Sequence, residues 1–171
     1  MLSQSRLTDF KDEVPSEAAQ RKEPELGGVR LRPYQEEAYY AWMQKGMRGV
    51  IVAPTGTGKT VIASYAIQAS SLPTLVIVPT ERILKTWLNA LTRFGMRATA
   101  YYGREKDLSP LTISIYNSVI RHPEIVDRFK MVVLDEVHHA GADVFSRVLN
   151  LLDGKAVMAL TATLRRSDGK H

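Results

Sequence analysis

The sequence predicts an α/β domain of three layers around a mainly parallel central sheet, and three observations predict it. Short runs rich in β-branched residues recur along the chain, longer amphipathic stretches separate them, and a glycine-rich loop joins one run to the stretch that follows. Such alternation suits parallel strands, because each parallel connection needs a crossover that a helix can supply.

Buried strands are expected at residues 49–53, 74–78, 97–101, 112–116, 131–134 and 156–160. Helices are expected near 33–45, 59–70, 81–94 and 143–152. Residues 1–28 are rich in Ser, Glu, Lys, Arg and Pro without a sustained period and read as a flexible tail, leaving 29–171 as the domain. The chain shows no internal repeat and no low-complexity segment.

A length of 171 residues suffices for one domain with its own core and is marginal for two. No apolar run approaches the roughly 20 residues needed to span a bilayer, and the N-terminus lacks the apolar stretch of a secretory signal. An intracellular protein with no membrane partner is therefore expected. The absence of cysteine excludes disulfides, zinc-thiolate sites and thiol nucleophiles. A formal charge of +5 favours a polyanionic partner, although net charge alone discriminates loosely.

Ala53-Pro54-Thr55-Gly56-Thr57-Gly58-Lys59-Thr60 lies between an expected strand and an expected helix, the setting that a phosphate-binding loop requires. Ala53 stands where the first glycine of G-x-x-x-x-G-K-T would be; Gly58, Lys59 and Thr60 match. A polyphosphate needs close backbone N–H donors, and side chains at Gly56 and Gly58 would obstruct it. The helix N-terminus adds a positive dipole end, Lys59 can reach the β and γ phosphates, and the Thr60 hydroxyl suits Mg2+. An ordinary glycine-rich turn is the competing reading, but the structural context disfavours it.

Met131-Val132-Val133-Leu134 leads into Asp135-Glu136, so two carboxylates emerge at the C-terminal edge of the expected sheet, where ligands of such folds bind. Asp135 is the expected magnesium ligand and Glu136 the group that polarises the attacking water. His138 and His139 follow, but adjacent histidines are expected to point apart and no third ligand has suitable spacing for zinc.

Together these residues resemble superfamily 2 helicases, specifically the XPB-like branch of DNA translocases, from about Leu31 to the end of the chain. Leu31-Arg32-Pro33-Tyr34-Gln35 looks like the adenine-recognition element, with Arg32 and Gln35 in that role. Asp135-Glu136-Val137-His138 looks like the D-E-x-H form of motif II, and Leu160-Thr161-Ala162-Thr163 like motif III. The segment Thr163-Leu164-Arg165-Arg166-Ser167-Asp168 resembles the R-E-D element, with Ser167 departing from it in the middle.

The resemblance implies a RecA-like P-loop domain that binds ATP with Mg2+. It also implies that His138, Thr161 and Thr163 couple the nucleotide site to DNA. Pro79, Thr80 and Arg82 are similar to motif Ia, while Tyr116 and Asn117 are similar to a later backbone-contacting motif; with Arg166 they form the expected nucleic-acid contacts. Thr80 could equally cap its helix, and Trp87 is expected in the core more readily than against a base. A P-loop module that remodels proteins and a non-catalytic nucleic-acid-binding subunit are the alternative readings.

The resemblance further implies a second RecA-like domain, in cis or in trans, that supplies arginines to the γ phosphate. The chain ends shortly after motif III, which favours a fragment that binds nucleotide and turns it over poorly, since an arginine finger can be worth roughly 10³ to 10⁵ in rate. In the tail, Gln4, Leu7 and Phe10 resemble a sliding-clamp peptide, but Lys11 replaces its second aromatic and a chance match is favoured.

Overall fold

The computed structural model describes residues 24–54 and 58–162. Its elements in chain order are β1 (Glu25–Leu26), β2 (Val29–Arg30), α1 (Pro33–Gln44), β3 (Arg48–Ala53), α2 (Gly58–Ser70), β4 (Thr74–Val78), α3 (Glu81–Arg93), β5 (Thr99–Tyr102), β6 (Glu105–Lys106), β7 (Leu111–Ile115), α4 (Tyr116–Arg121), β8 (Met131–Leu134), α5 (Ala142–Leu149) and β9 (Ala156–Ala162). Single 3-10 helices occupy Pro123–Arg128 and Val137–His139. No helix among the described residues is long and apolar enough to cross a membrane.

Seven strands form one sheet in the order β3-β9-β8-β4-β7-β5-β6, parallel throughout except where β6 folds back on β5. The alternation of side chains along each strand divides the interior into two cores. Val76, Val78, Met131, Val133, Met158 and Leu160 meet the helices α1, α2 and α3 on one face. Leu75, Ile77, Val132, Leu134, Val157 and Ala159 meet α4, α5 and the 3-10 helix Pro123–Arg128 on the other. Consecutive apolar residues in β4 and β8 are thus explained: both faces of those strands are covered.

The helices begin where local chemistry favours it. Pro33 opens α1 at a position whose N–H has no intrahelical acceptor. Thr80 caps α3, its Oγ1 accepting a hydrogen bond from the Ile83 N–H at 3.2 Å. Glu81 in the first turn of α3 and Arg93 in the last complement the helix dipole, and Leu84, Trp87, Ala90 and Leu91 line its buried side.

Several expected elements shift. The packed domain includes residues 24–28: β1 and β2 pair as a hairpin, and Leu26 is fully buried with Leu31, Val61, Ala90 and Phe94. Gly27 makes the turn at φ +53°, and a Cβ there would come within 2.7 Å of the Phe94 backbone. The strand expected at 97–101 is Thr99–Tyr102, and the helix expected at 143–152 is Ala142–Leu149. Tyr116, expected to end a strand, starts α4 instead. The strand expected to be buried at 49–53 stands at the end of the sheet order, with Val50 64% and Val52 62% exposed, because no described helix covers that face of β3.

Candidate functional site

The C-terminal ends of β3, β9 and β8 lie side by side, since Ala53 registers with Ala162 and Leu134 with Ala159. β9 separates the strand that enters the glycine-rich loop from the strand that ends in the two acids. Lys59, in the first turn of α2, crosses that gap. Its Nζ donates to Asp135 Oδ1 at 2.8 Å and to Glu136 Oε2 at 2.9 Å. Lys59 and Asp135 are buried, and Glu136 is partly accessible.

Burial disfavours the Lys59 charge, but Asp135 and Glu136 outweigh it and hold its pKa above the ordinary lysine value. Glu136 adopts the left-handed conformation, at φ 51° and ψ 52°. A residue with a Cβ is uncommon there, and this bend starts the 3-10 helix that carries His138 and His139.

Asp135 is fixed at every polar atom. Its second carboxylate oxygen accepts from the Trp87 indole N–H at 2.8 Å, its backbone N–H donates to Ile77 at 2.9 Å, and its carbonyl accepts from the Tyr116 hydroxyl at 2.9 Å. Burial raises the Tyr116 pKa far above the usual phenol value, with the charges of Asp135 and Glu136 adding to it. Tyr116 is 3% exposed, so its ring belongs to the core around the acidic strand and offers no platform to a base. That corrects the nucleic-acid contact expected of it. Trp87 is in the core as expected, but its polar edge was not anticipated; the only sequence signal was a tryptophan on a helix face that leucine or phenylalanine could fill.

On the other side of the loop, Gln35 is 5% exposed and engaged at both ends. It accepts from the Arg32 backbone N–H at 2.8 Å and donates to the Gly58 carbonyl at 3.3 Å, tying the start of α1 to the start of α2. Arg32 and Tyr34 are exposed, and a Cβ on Gly58 would collide with the Tyr34 hydroxyl. Pro54 is exposed and Thr60 half-buried at this edge. Thr55, Gly56 and Thr57 lie outside the described residues, as do Thr163, Arg166 and the tail residues Gln4, Leu7 and Phe10.

Thr161 Oγ1 lies 3.3 Å from His138 Nδ1, which joins the end of β9 to the segment after β8. His138 Nε2 lies 3.6 Å from Glu136 Oε1. The expectation that the two histidines diverge is not met: their rings stand 4.1 Å apart, and Glu136, His138 and His139 bring one ligand atom each within 4.8 Å of one another. Glu136 is the third group, brought back to the histidines by its left-handed backbone, and its Oε2 is held by Lys59. Among the expected nucleic-acid contacts, Thr80, Arg82 and Asn117 are exposed and Pro79 is half-buried, all just beyond the C-terminal ends of β4 and β7.

A family profile described as "Type III restriction enzyme, res subunit" matches residues 28–166. The chain is 35% identical over 145 residues to a protein of Sulfurisphaera tokodaii named "DNA 3'-5' translocase XPB2", covering 84% of this chain and 33% of that protein. It is 33% identical over 157 residues to the "DNA 3'-5' helicase XPB" of Mycobacterium tuberculosis, covering 84% of this chain and 28% of that one. The chain thus spans about a third or less of these relatives' length.

Among solved structures, the UvsW helicase of bacteriophage T4 superposes with a TM-score of 0.67 at 19% identity, over 90% of this chain and 60% of that one. The Sulfolobus solfataricus SWI2/SNF2 ATPase core in complex with dsDNA gives 0.66 at 25% identity, over 83% and 34%. The fold, the order of the motifs and the family match agree: the chain belongs to the "Type III restriction enzyme, res subunit" family and, within it, is similar to the XPB-like helicases of superfamily 2.

Proposed function

We propose that this domain binds ATP with Mg2+ and, paired with a second RecA-like domain in cis or in trans, couples ATP hydrolysis to movement along DNA. The observation that carries the reading is the buried junction at the sheet edge, where the Lys59 ammonium sits between Asp135 and Glu136. A lysine placed by a glycine-rich loop and two acids placed by a neighbouring strand are the groups that phosphoryl transfer needs.

The donor set suits magnesium. Asp135, Glu136 and the Thr60 hydroxyl are hard oxygen ligands, with Thr60 and Asp135 the holders and the acids already neutralised by a cation. When bound, Mg2+ would neutralise charge on the β and γ phosphates. Lys59 then exchanges the carboxylates for those phosphates, while Glu136 orients and polarises the attacking water. The backbone from Pro54 through Thr55, Gly56, Thr57 and Gly58 cradles the polyphosphate, and Arg32 with Gln35 meets the adenine side. His138, Thr161 and Thr163 pass the state of the site toward DNA, whose backbone meets Pro79, Thr80, Arg82, Asn117 and Arg166. Relatives named as a DNA 3'-5' translocase and a DNA 3'-5' helicase favour DNA as the track.

The test is nucleotide binding and ATP turnover by one preparation, with and without single- and double-stranded DNA, compared with Lys59→Ala. Binding that depends on magnesium and Lys59, with slow turnover until a second RecA-like domain is supplied, is the expected result. Absence of binding in the folded chain would overturn the reading, and fast DNA-stimulated turnover by the chain alone would overturn the need for a second domain.

A further inference from the structure

We propose that Trp87 is a positioning residue for the acidic ligand: its indole N–H pins one oxygen of Asp135 so that the other faces the phosphate loop. This rests on the reading of Asp135 as a magnesium ligand given above.

The two oxygens of Asp135 have partners of different kinds. Oδ1 meets the Lys59 ammonium at 2.8 Å, and Oδ2 meets Trp87 Nε1, also at 2.8 Å. Lys59 is a cation on a flexible stem and is free to exchange partners when phosphate arrives. The indole is not. Trp87 is 1% exposed and packs in the core beneath α3, in the same cluster as Leu84, Leu91, Val76 and Val78. A rigid donor therefore stays on one oxygen while the partner of the other changes. With the Asp135 backbone held by Ile77 and Tyr116, the carboxylate has lost both its translation and its rotation before any ligand binds.

Packing alone does not require a nitrogen at this position. A phenylalanine would fill much of the same space, but it would leave a buried carboxylate oxygen without a donor, and hydrogen bonds to charged groups are among the stronger ones. The second indole of the chain, Trp42, donates its hydrogen bond elsewhere, to the Val157 carbonyl at 2.8 Å. Replacing Trp42 therefore isolates the emission of Trp87 without removing a hydrogen bond to Asp135.

The experiment titrates Mg2+ against binding of a fluorescent ATP analogue to the full chain, to Trp87→Phe and to Leu84→Val, a packing change on the same helix face. The midpoint in magnesium is expected to rise about tenfold in Trp87→Phe, the loss of one charge-assisted hydrogen bond, and to stay within about twofold of the parent in Leu84→Val. Nucleotide affinity at saturating magnesium should be nearly unchanged in both. An unmoved midpoint in Trp87→Phe, or an equal shift in Leu84→Val, would overturn the proposal.

Trp42→Phe leaves Trp87 as the sole indole and keeps the test open if Trp87→Phe does not fold. Its emission is expected to change when magnesium joins bound nucleotide, and that change should vanish in Trp42→Phe with Asp135→Asn; no change would count against the contact. If the chain bound no nucleotide, the proposed function would fall separately. Mn2+ alone would then decide: quenching of Trp87 that requires Asp135 supports the positioning role, and its absence refutes it.

Discussion

Lys59 carries its charge inside the protein because two carboxylates face it, and the consequences can be measured. Removing it leaves Asp135 buried with an uncompensated charge, since Trp87 supplies a hydrogen bond and not a counterion. Lys59→Ala should therefore lower unfolding free energy by about 3 kcal/mol, the low end for breaking a buried pair, because Glu136 remains partly accessible. Adding Asp135→Asn should recover most of that loss, which a denaturant double-mutant cycle would show. The sign of the pH dependence follows from the raised Lys59 pKa. Its contribution is fully present below the unfolded lysine value of about 10.4 and is lost only as pH rises through the higher folded value. The difference in stability between the parent and Lys59→Met should accordingly stay flat from about pH 7 to about pH 9.

The elements decide which side chains are available to a partner. Thr80 is legible in the sequence both as a cap and as a DNA contact; its hydroxyl accepts from Ile83 at the start of α3, and the residue stays exposed, so the cap leaves it open to a partner. Thr80→Ala should destabilise the domain by about 1 kcal/mol with no DNA present. A thermal melt checks this, and a variant of unchanged stability would show that the cap contributes nothing. Because α3 also carries Trp87, fraying at its start lies only two turns from the residue that holds Asp135. At the sheet's end, β3 turns Val50 and Val52 outward even though a run of valines and isoleucine reads as fully buried. Composition reports that a strand is apolar; how many layers cover it depends on its place in the sheet order.

For the whole molecule, charge and geometry point the same way. The net charge of +5 and the exposed Thr80, Arg82 and Asn117 suit a phosphate backbone and not a particular base sequence. DNA affinity, followed by fluorescence anisotropy, should fall at least about tenfold between roughly 50 and 200 mM salt and differ little among sequences of equal length. A salt-insensitive or strongly sequence-dependent affinity would contradict backbone recognition.

The sequence by itself determined the fold class, the positions of the central strands and helices, and the identity of the polar groups at the C-terminal edge of the sheet. Those features are written in local patterns: apolar runs, helical periods and a loop whose glycines and lysine have fixed spacing. Tertiary structure alone decided how Asp135 is held, that Tyr116 faces inward, that Gln35 braces Gly58, and that Glu136 folds back toward both histidines. The hairpin at 25–30 is likewise set by tertiary structure, because two-residue strands show no period and burial of Leu26 against Val61 and Phe94 gives them their place. Trp87 and Asp135 are 48 positions apart. No window of sequence contains their contact; it exists because parallel crossovers set β4 beside β8 and lay α3 across them.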